Sequence, residues 1–175
     1  MAILKVARMG HPVLRARAHP VDPGAVGSQV IQKLIDDMIE TMNEYQGIGL
    51  AAPQVHESLR LFVAGIEGEE DRLPPMVLVN PEVLPQGRSD AEDWEGCLSI
   101  PDLRGRVRRP DEILLRGLDR HGAPFEMKAR GYPARVIQHE IDHLDGILFL
   151  DRMRSFETLT YLDEFARYWG ESPTD

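Results

Sequence analysis

The sequence predicts an α+β fold, with mostly antiparallel sheets packed around a central helix that carries an H-E-x-x-H string. Three observations lead there. Val30, Ile31, Leu34, Ile35, Met38, Ile39 and Met42 recur at three-to-four spacing, with Lys33, Asp36, Asp37 and Glu40 between them, which is the period of a long amphipathic helix near the N-terminus. Between Leu59 and Lys128 the chain changes to short apolar runs broken by Gly, Pro and Asp, the pattern of strands and turns. After Pro133 the helical period returns twice. Strands gathered between helices, rather than alternating with them, favour α+β over a parallel βαβ arrangement.

Size and composition fit that reading. The chain has 175 residues, 42% of them hydrophobic and 28% charged, which suits one globular domain spanning residues 1–175. A formal net charge of −9 argues against direct nucleic-acid binding and against an anionic membrane surface as a partner. The local basic run Arg104 to Arg109 reads as a strand with outward arginines rather than a phosphate site. No apolar run approaches the ~20 residues that cross a bilayer. The N-terminal MAILKVARMGHP lacks the apolar core and cleavage site of a signal peptide, so a cytoplasmic location is expected. The single cysteine, Cys97, cannot build a disulfide framework; it is either a small buried apolar residue or a metal ligand.

Taken in order, residues 1–27 form an arm with turns at Gly10-His11-Pro12 and Val21-Asp22-Pro23-Gly24, and His11 and His19 are surface residues. Ser28 is placed to cap the first helix, which ends near Asn43 to Gln46. Gly47 to Gln54, GIGLAAPQ, allows two readings: a tight loop packed under a helix, or an edge where substrate lies against the main chain. Pro53 excludes a central strand there. Leu59–Ala64, Met76–Val79, Arg106–Arg108, Ile113–Leu118 and Phe125–Lys128 read as short strands, with Pro81 and Pro85 at an edge or turn and an acidic loop over 65–75. Asp119 to Gly122 links the last two strands as a hairpin. Pro133 suits the first turn of the next helix, whose buried stripe is Ala134, Ile137, Ile141 and Leu144, and Asp145-Gly146 stops it. Ile147–Leu150 is expected to add a short strand, and Thr158–Trp169 a C-terminal helix.

The chemistry concentrates in QHEIDHLDG, residues 138–146. His139 and His143 are four apart, so a helix puts both imidazoles on one face, where they can share a cation. Glu140 lies about 100° round from His139, near enough to reach a water on that cation without binding it. A catalytic cation site needs a third protein ligand and an open position. Cys97, in the polar-flanked run EGCLS, can supply a thiolate, and buried filler is its alternative role.

With these residues in view, the chain resembles the peptide deformylase family. That family carries G-φ-G-φ-A-A-P-Q, E-G-C-φ-S and Q-H-E-φ-D-H-L-x-G, with φ apolar. GIGLAAPQ at 47–54, EGCLS at 95–99 and QHEIDHLDG at 138–146 match all three, in order, over nearly the whole chain. The resemblance implies a hydrolase that removes the formyl group from N-terminal formyl-methionine of new polypeptides, with nascent peptides at the ribosome as substrates. It implies Cys97, His139 and His143 as metal ligands, Glu140 as the catalytic carboxylate, and the Gln54 side chain and Leu98 backbone N–H as oxyanion donors. It implies Fe2+ as the natural metal, with zinc or nickel able to substitute. Gly47, Ile48, Gly49 and Leu50 then become the edge that binds an extended peptide.

Arg135 departs from the apolar residues expected near a methionine pocket. Its stem is expected to cover apolar surface while its head reaches water, and Tyr132 lies a turn earlier. An ion pair between Glu95 and Arg104 is expected to brace the Cys97 loop. Two rival functions remain: an ordinary H-E-x-x-H metallopeptidase, for which no third histidine follows His143, and a non-catalytic metal or peptide binder, which would not need Glu140.

Overall fold

The computed structural model describes residues 2–67 and 72–170. The Ser28 hydroxyl accepts the Ile31 N–H, and helix α1 follows over Gln29–Glu44. A short strand β1, Gly49–Ala51, leads into a 3-10 turn at Ala52–Val55. Strands β2 (Leu61–Ile66), β3 (Leu73–Cys97), β4 (Ile100–Leu118) and β5 (Pro124–Arg130) come next. Helix α2, Gly131–Leu144, carries both motif histidines. Helix α3 (Phe149–Arg152), strand β6 (Thr160–Tyr161) and helix α4 (Leu162–Tyr168) complete the described chain.

The five main strands lie in sequence order, β1-β2-β3-β4-β5, each antiparallel to the next, and β6 pairs with β4. Alternation along β2 and β3 sorts the core onto two faces. Phe62, Ala64 and Leu78 pack with Ala134, Ile137, Ile141 and Leu144 of α2. Leu61, Val63 and Val79 pack with Ile35, Met38 and Met42 of α1. A third cluster joins Leu14, Val107, Leu148 and Phe149 to Cys97. The metal-motif helix is therefore held against the sheet by its apolar stripe, and truncating a buried residue such as Ile137 to Ala would cost about 2–5 kcal/mol. Gly146, at φ +75°, ends that helix; a Cβ there would lie 2.7 Å from the Arg15 carbonyl oxygen, so only glycine lets the N-terminal arm pass.

Four expectations need correction. The separate short strands between 76 and 118 fuse into β3 and β4, which bend at register shifts between Val79 and Glu82, Gln86 and Asp90, and Glu95 and Cys97. Pro81 and Pro85 sit inside β3, beyond the stretch paired with β2, where one edge has no strand partner among the described residues and a missing N–H breaks no ladder. Residues 147–150 form no strand; α3 begins after Leu148, whose N–H is taken by the Asp151 carboxylate at 2.7 Å. The C-terminal helix is shorter than 158–169, because Thr160 and Tyr161 pair with Arg104 and Leu103 of β4 before α4 starts. The 65–75 loop is narrowed by β2 and β3, and its residues 68–71 lie outside the described residues. The turn at Asp119 behaves as expected, its carboxylate accepting the His121 and Ala123 N–H groups.

Candidate metal centre

Strand β3 delivers Cys97 at its last residue. Cys97 pairs with Ile100 across the two-residue turn Leu98-Ser99. Helix α2 delivers His139 and His143 on one face, their rings 4.9 Å apart and nearly perpendicular. Ligand atoms of Cys97, His139 and His143 all lie within 4.8 Å of one another, with Cys97 Sγ 3.2 Å from His143 Nε2. The structure thus brings together three residues that lie up to 46 positions apart in sequence.

His139 is oriented from behind. Its Nδ1 is 2.9 Å from Glu95 Oε2, which leaves Nε2 for the cluster. Glu95 is buried, and it does not pair with Arg104 as expected. Its partners are Arg109, through Nε at 2.6 Å and Nη2 at 2.9 Å, and Arg135, through Nη1 at 2.8 Å. Burial alone would raise the Glu95 carboxyl, but its bonds to Arg109 and His139 hold it far below the usual carboxylate range. Arg109 also bonds Asp142 at 2.8 Å and is buried, so the basic run is not wholly outward. The expectation that the Arg135 head reaches water is likewise overturned: only 5% of the residue is exposed, and its guanidinium bonds Glu95 and the Val107 carbonyl. Spacing offered one clue to Arg135, four residues before His139 on the same face; nothing in the sequence singled out Arg109.

The remaining site residues converge on the same corner. Gln54 is buried, and its Oε1 accepts the Ala51 N–H at 2.8 Å. That bond fixes the amide, so its Nε2 faces Cys97 Sγ at 3.6 Å and Ser99 Oγ at 3.2 Å. The arm ties this corner down, Ala7 N–H to the Gln54 carbonyl and Met9 N–H to the Ser99 carbonyl. The Leu98 side chain lies over Gly47, and the Ile48 carbonyl accepts the Gly65 N–H. Gly49 and Leu50 pair with Ala64 and Val63, and β1 has no second strand partner among the described residues. Glu140 packs against Gly49, where a Cβ would fall 2.3 Å from its Oε1.

Protonation follows from this crowding. Burial would raise the Cys97 thiol, yet the His143 and His139 rings outweigh it and hold it well below its ordinary range. Burial would lower His139, yet Cys97 and Glu95 hold it well above its ordinary value. Glu140 is pushed up to about 7 by burial, against the pull of His139 and His143. Among the described residues Glu140 Oε2 and His143 Nδ1 are buried without a protein partner. An anionic sulfur, two imidazoles and an unpartnered carboxylate oxygen within one small volume fit a divalent cation with one open position.

A family profile described as polypeptide deformylase matches residues 3–158. The chain belongs to the polypeptide deformylase family. The peptide deformylase of Leptospira biflexa is 37% identical over 170 residues, covering 94% of this chain and 95% of that protein. That of Salinibacter ruber is 44% identical over 163 residues, covering 88% and 82%. A crystal structure of a class I type b peptide deformylase from Acinetobacter baumannii, bound to Met-Ala-Ser, superposes with a TM-score of 0.83 at 38% identity, covering 87% of this chain and 99% of that one. In this member of the deformylase family, no helix among the described residues is long and apolar enough to cross a membrane.

Proposed function

We propose that the chain is a metal-dependent peptide deformylase, which hydrolyses the formyl group from the N-terminal formyl-methionine of newly synthesised polypeptides and releases formate. The observation that carries this is the Cys97, His139 and His143 cluster with the buried Glu140 carboxylate beside it, in a chain of this family. Met-Ala-Ser, bound to the Acinetobacter relative, is the kind of free-amine peptide that deformylation leaves.

Cys97, His139 and His143 would hold the cation. When bound, it acidifies water towards ~7 and polarises the carbonyl. Glu140, with a pKa of about 7 and its Oε2 without a partner among the described residues, accepts the water's proton as the water oxygen bonds to the formyl carbon. The Gln54 side chain and the Leu98 backbone N–H donate to the carbonyl oxygen as it gains negative charge. When the C–N bond breaks, Glu140 returns the proton to the leaving amine, so the products are formate and a peptide with a free N-terminus. The open edge of β1 and the residues just before it, Gly47 to Leu50, take the extended peptide by main-chain bonding, which tolerates most sequences after methionine.

A donor set of one thiolate and two imidazoles suits Fe2+, with zinc or nickel able to replace it. We read α2 as the centre of the fold, with α1 before and α4 after it, and residues 1–175 as one catalytic domain acting on nascent chains at the ribosome in the cytoplasm. The test is anaerobic turnover of formyl-Met-Ala-Ser by iron-loaded protein beside the same peptide unformylated. Formate release from the first, with no cleavage of the second, is expected. Cleavage of the unformylated peptide, or no formate with iron, zinc or nickel, defeats the reading.

A further inference from the structure

The four acceptor positions of the Glu95 carboxylate are all taken. Oε1 accepts from Arg109 Nε and Arg135 Nη1, and Oε2 faces Arg109 Nη2 and His139 Nδ1. Two of the three partner residues, Arg135 and His139, stand one turn apart on α2 and grip opposite oxygens. Arg109 comes from β4 and shares its third contact with Asp142. The α2 pair therefore fixes Glu95 directly to the helix that bears both histidines, and Arg109 adds an indirect tie through Asp142 of the same helix. Glu95 is two residues before Cys97 on β3, so whatever holds Glu95 to α2 also holds the sulfur to the imidazoles.

Arg135 does more than contact Glu95. Nη1 also bonds the Val107 carbonyl of β4 at 2.7 Å, and Nη2 the Ala91 carbonyl of β3 at 2.9 Å. One planar guanidinium thus joins the two strands of the hairpin to the helix. On its outer side it lines a cavity of about 80 Å³ together with Ala91, Asp93, Arg109 and Tyr132, whereas Glu95 is not on that wall. A cavity of that size admits water. Removing the guanidinium would open one Glu95 oxygen to water and leave His139 as the sole α2 contact on that carboxylate.

We propose that Arg135 is a positioning residue: by clamping Glu95 to α2 it sets both the direction of the His139 ring and the distance from Cys97 to the two histidines. This rests on the ligand assignment proposed above. It concerns a residue outside the three family motifs.

The test uses full-length protein stripped of cation and reloaded with Co2+, as wild type, R135M, R135K and the control R108A, whose arginine is on the exposed side of β4. Affinity is measured by chelator competition, and the cobalt d–d and thiolate charge-transfer bands are recorded. R135M is expected to bind about 10- to 100-fold more weakly with shifted d–d bands. R135K is expected to fall several-fold, because one ammonium cannot bridge a carboxylate and two carbonyls, and R108A to match wild type. A space-filling arginine would change melting temperature alone, so wild-type affinity and spectrum in R135M overturn the proposal. Should R135M not fold, an unchanged affinity and spectrum in R135K overturns it instead. A wild type without a thiolate–cobalt band overturns the ligand assignment itself, and this inference with it.

Discussion

Gln54 and Gly49 show what single residues must do at this site. The Ala51 N–H locks the Gln54 amide with its NH2 towards Cys97 and Ser99, so the donor is in place before substrate arrives. Gln54→Ala should keep its cation content and lower kcat by about 10²–10³-fold, the cost of one oxyanion donor; turnover with metal analysis checks both halves. Gly49 has a different duty, leaving room for Glu140. Gly49→Ala brings a Cβ 2.3 Å from the carboxylate oxygen, which must move or push β1 aside. Turnover should fall by about 10²-fold or more, as for a displaced general base, while cobalt affinity stays near wild type. These roles were partly legible, because small residues in GIGLAAPQ imply a close approach. That the approaching group is Glu140 was not, since the residues are 91 positions apart and only packing joins them.

Elements were legible where one local rule decides them. The Ser28 cap and the three-to-four spacing give α1 nearly to its ends, because capping and burial of one face act within the helix. The long strands were not, because their bends depend on where β4 and β2 stop pairing, which no local window holds. Helix α1 also anchors the N-terminal arm. Ala2 N–H bonds the Asp37 carboxylate at 2.9 Å and Leu4 N–H the Thr41 hydroxyl at 2.8 Å. The Lys33 ammonium, with the Ala2 N–H, holds Asp37 below its ordinary 3.8 despite burial. A carboxyl depressed on folding contributes stability above its unfolded pKa and loses it as pH falls through the folded value. Wild type should therefore exceed Asp37→Asn in unfolding free energy at pH 6, and the gap should close below about pH 3.8. Urea melts of both proteins from pH 6 to 3 measure it; a gap constant with pH would contradict the role given to Asp37.

Across the whole molecule, four buried charges around Glu95 form one network that joins three separate elements. Glu95 of β3 and Asp142 of α2 contribute two negative charges, and Arg109 of β4 and Arg135 of α2 two positive ones, all nearly inaccessible to water. Arg152, at the end of α3, adds a more exposed contact to Asp142 at 2.6 Å. None of these pairings was legible, because arginines in a basic run read as solvated and buried partners are chosen by the fold. The network's stability value lies in its completeness. Arg109 is its bridge, so Arg109→Met strips two bonds from Glu95 and one from Asp142, leaving a buried carboxylate short of partners. That should cost about 3–5 kcal/mol, against the 5–15 kcal/mol typical of a domain's total. The measurement needs cation-free protein, since a ligand that binds only the folded state would mask the loss. Adding Glu95→Gln to Arg109→Met removes the charge that the first change left uncompensated, so the double variant should be destabilised by less than the sum of the two single changes. Additive losses would mean that Glu95 and Arg109 act separately, and that the centre is held by packing alone.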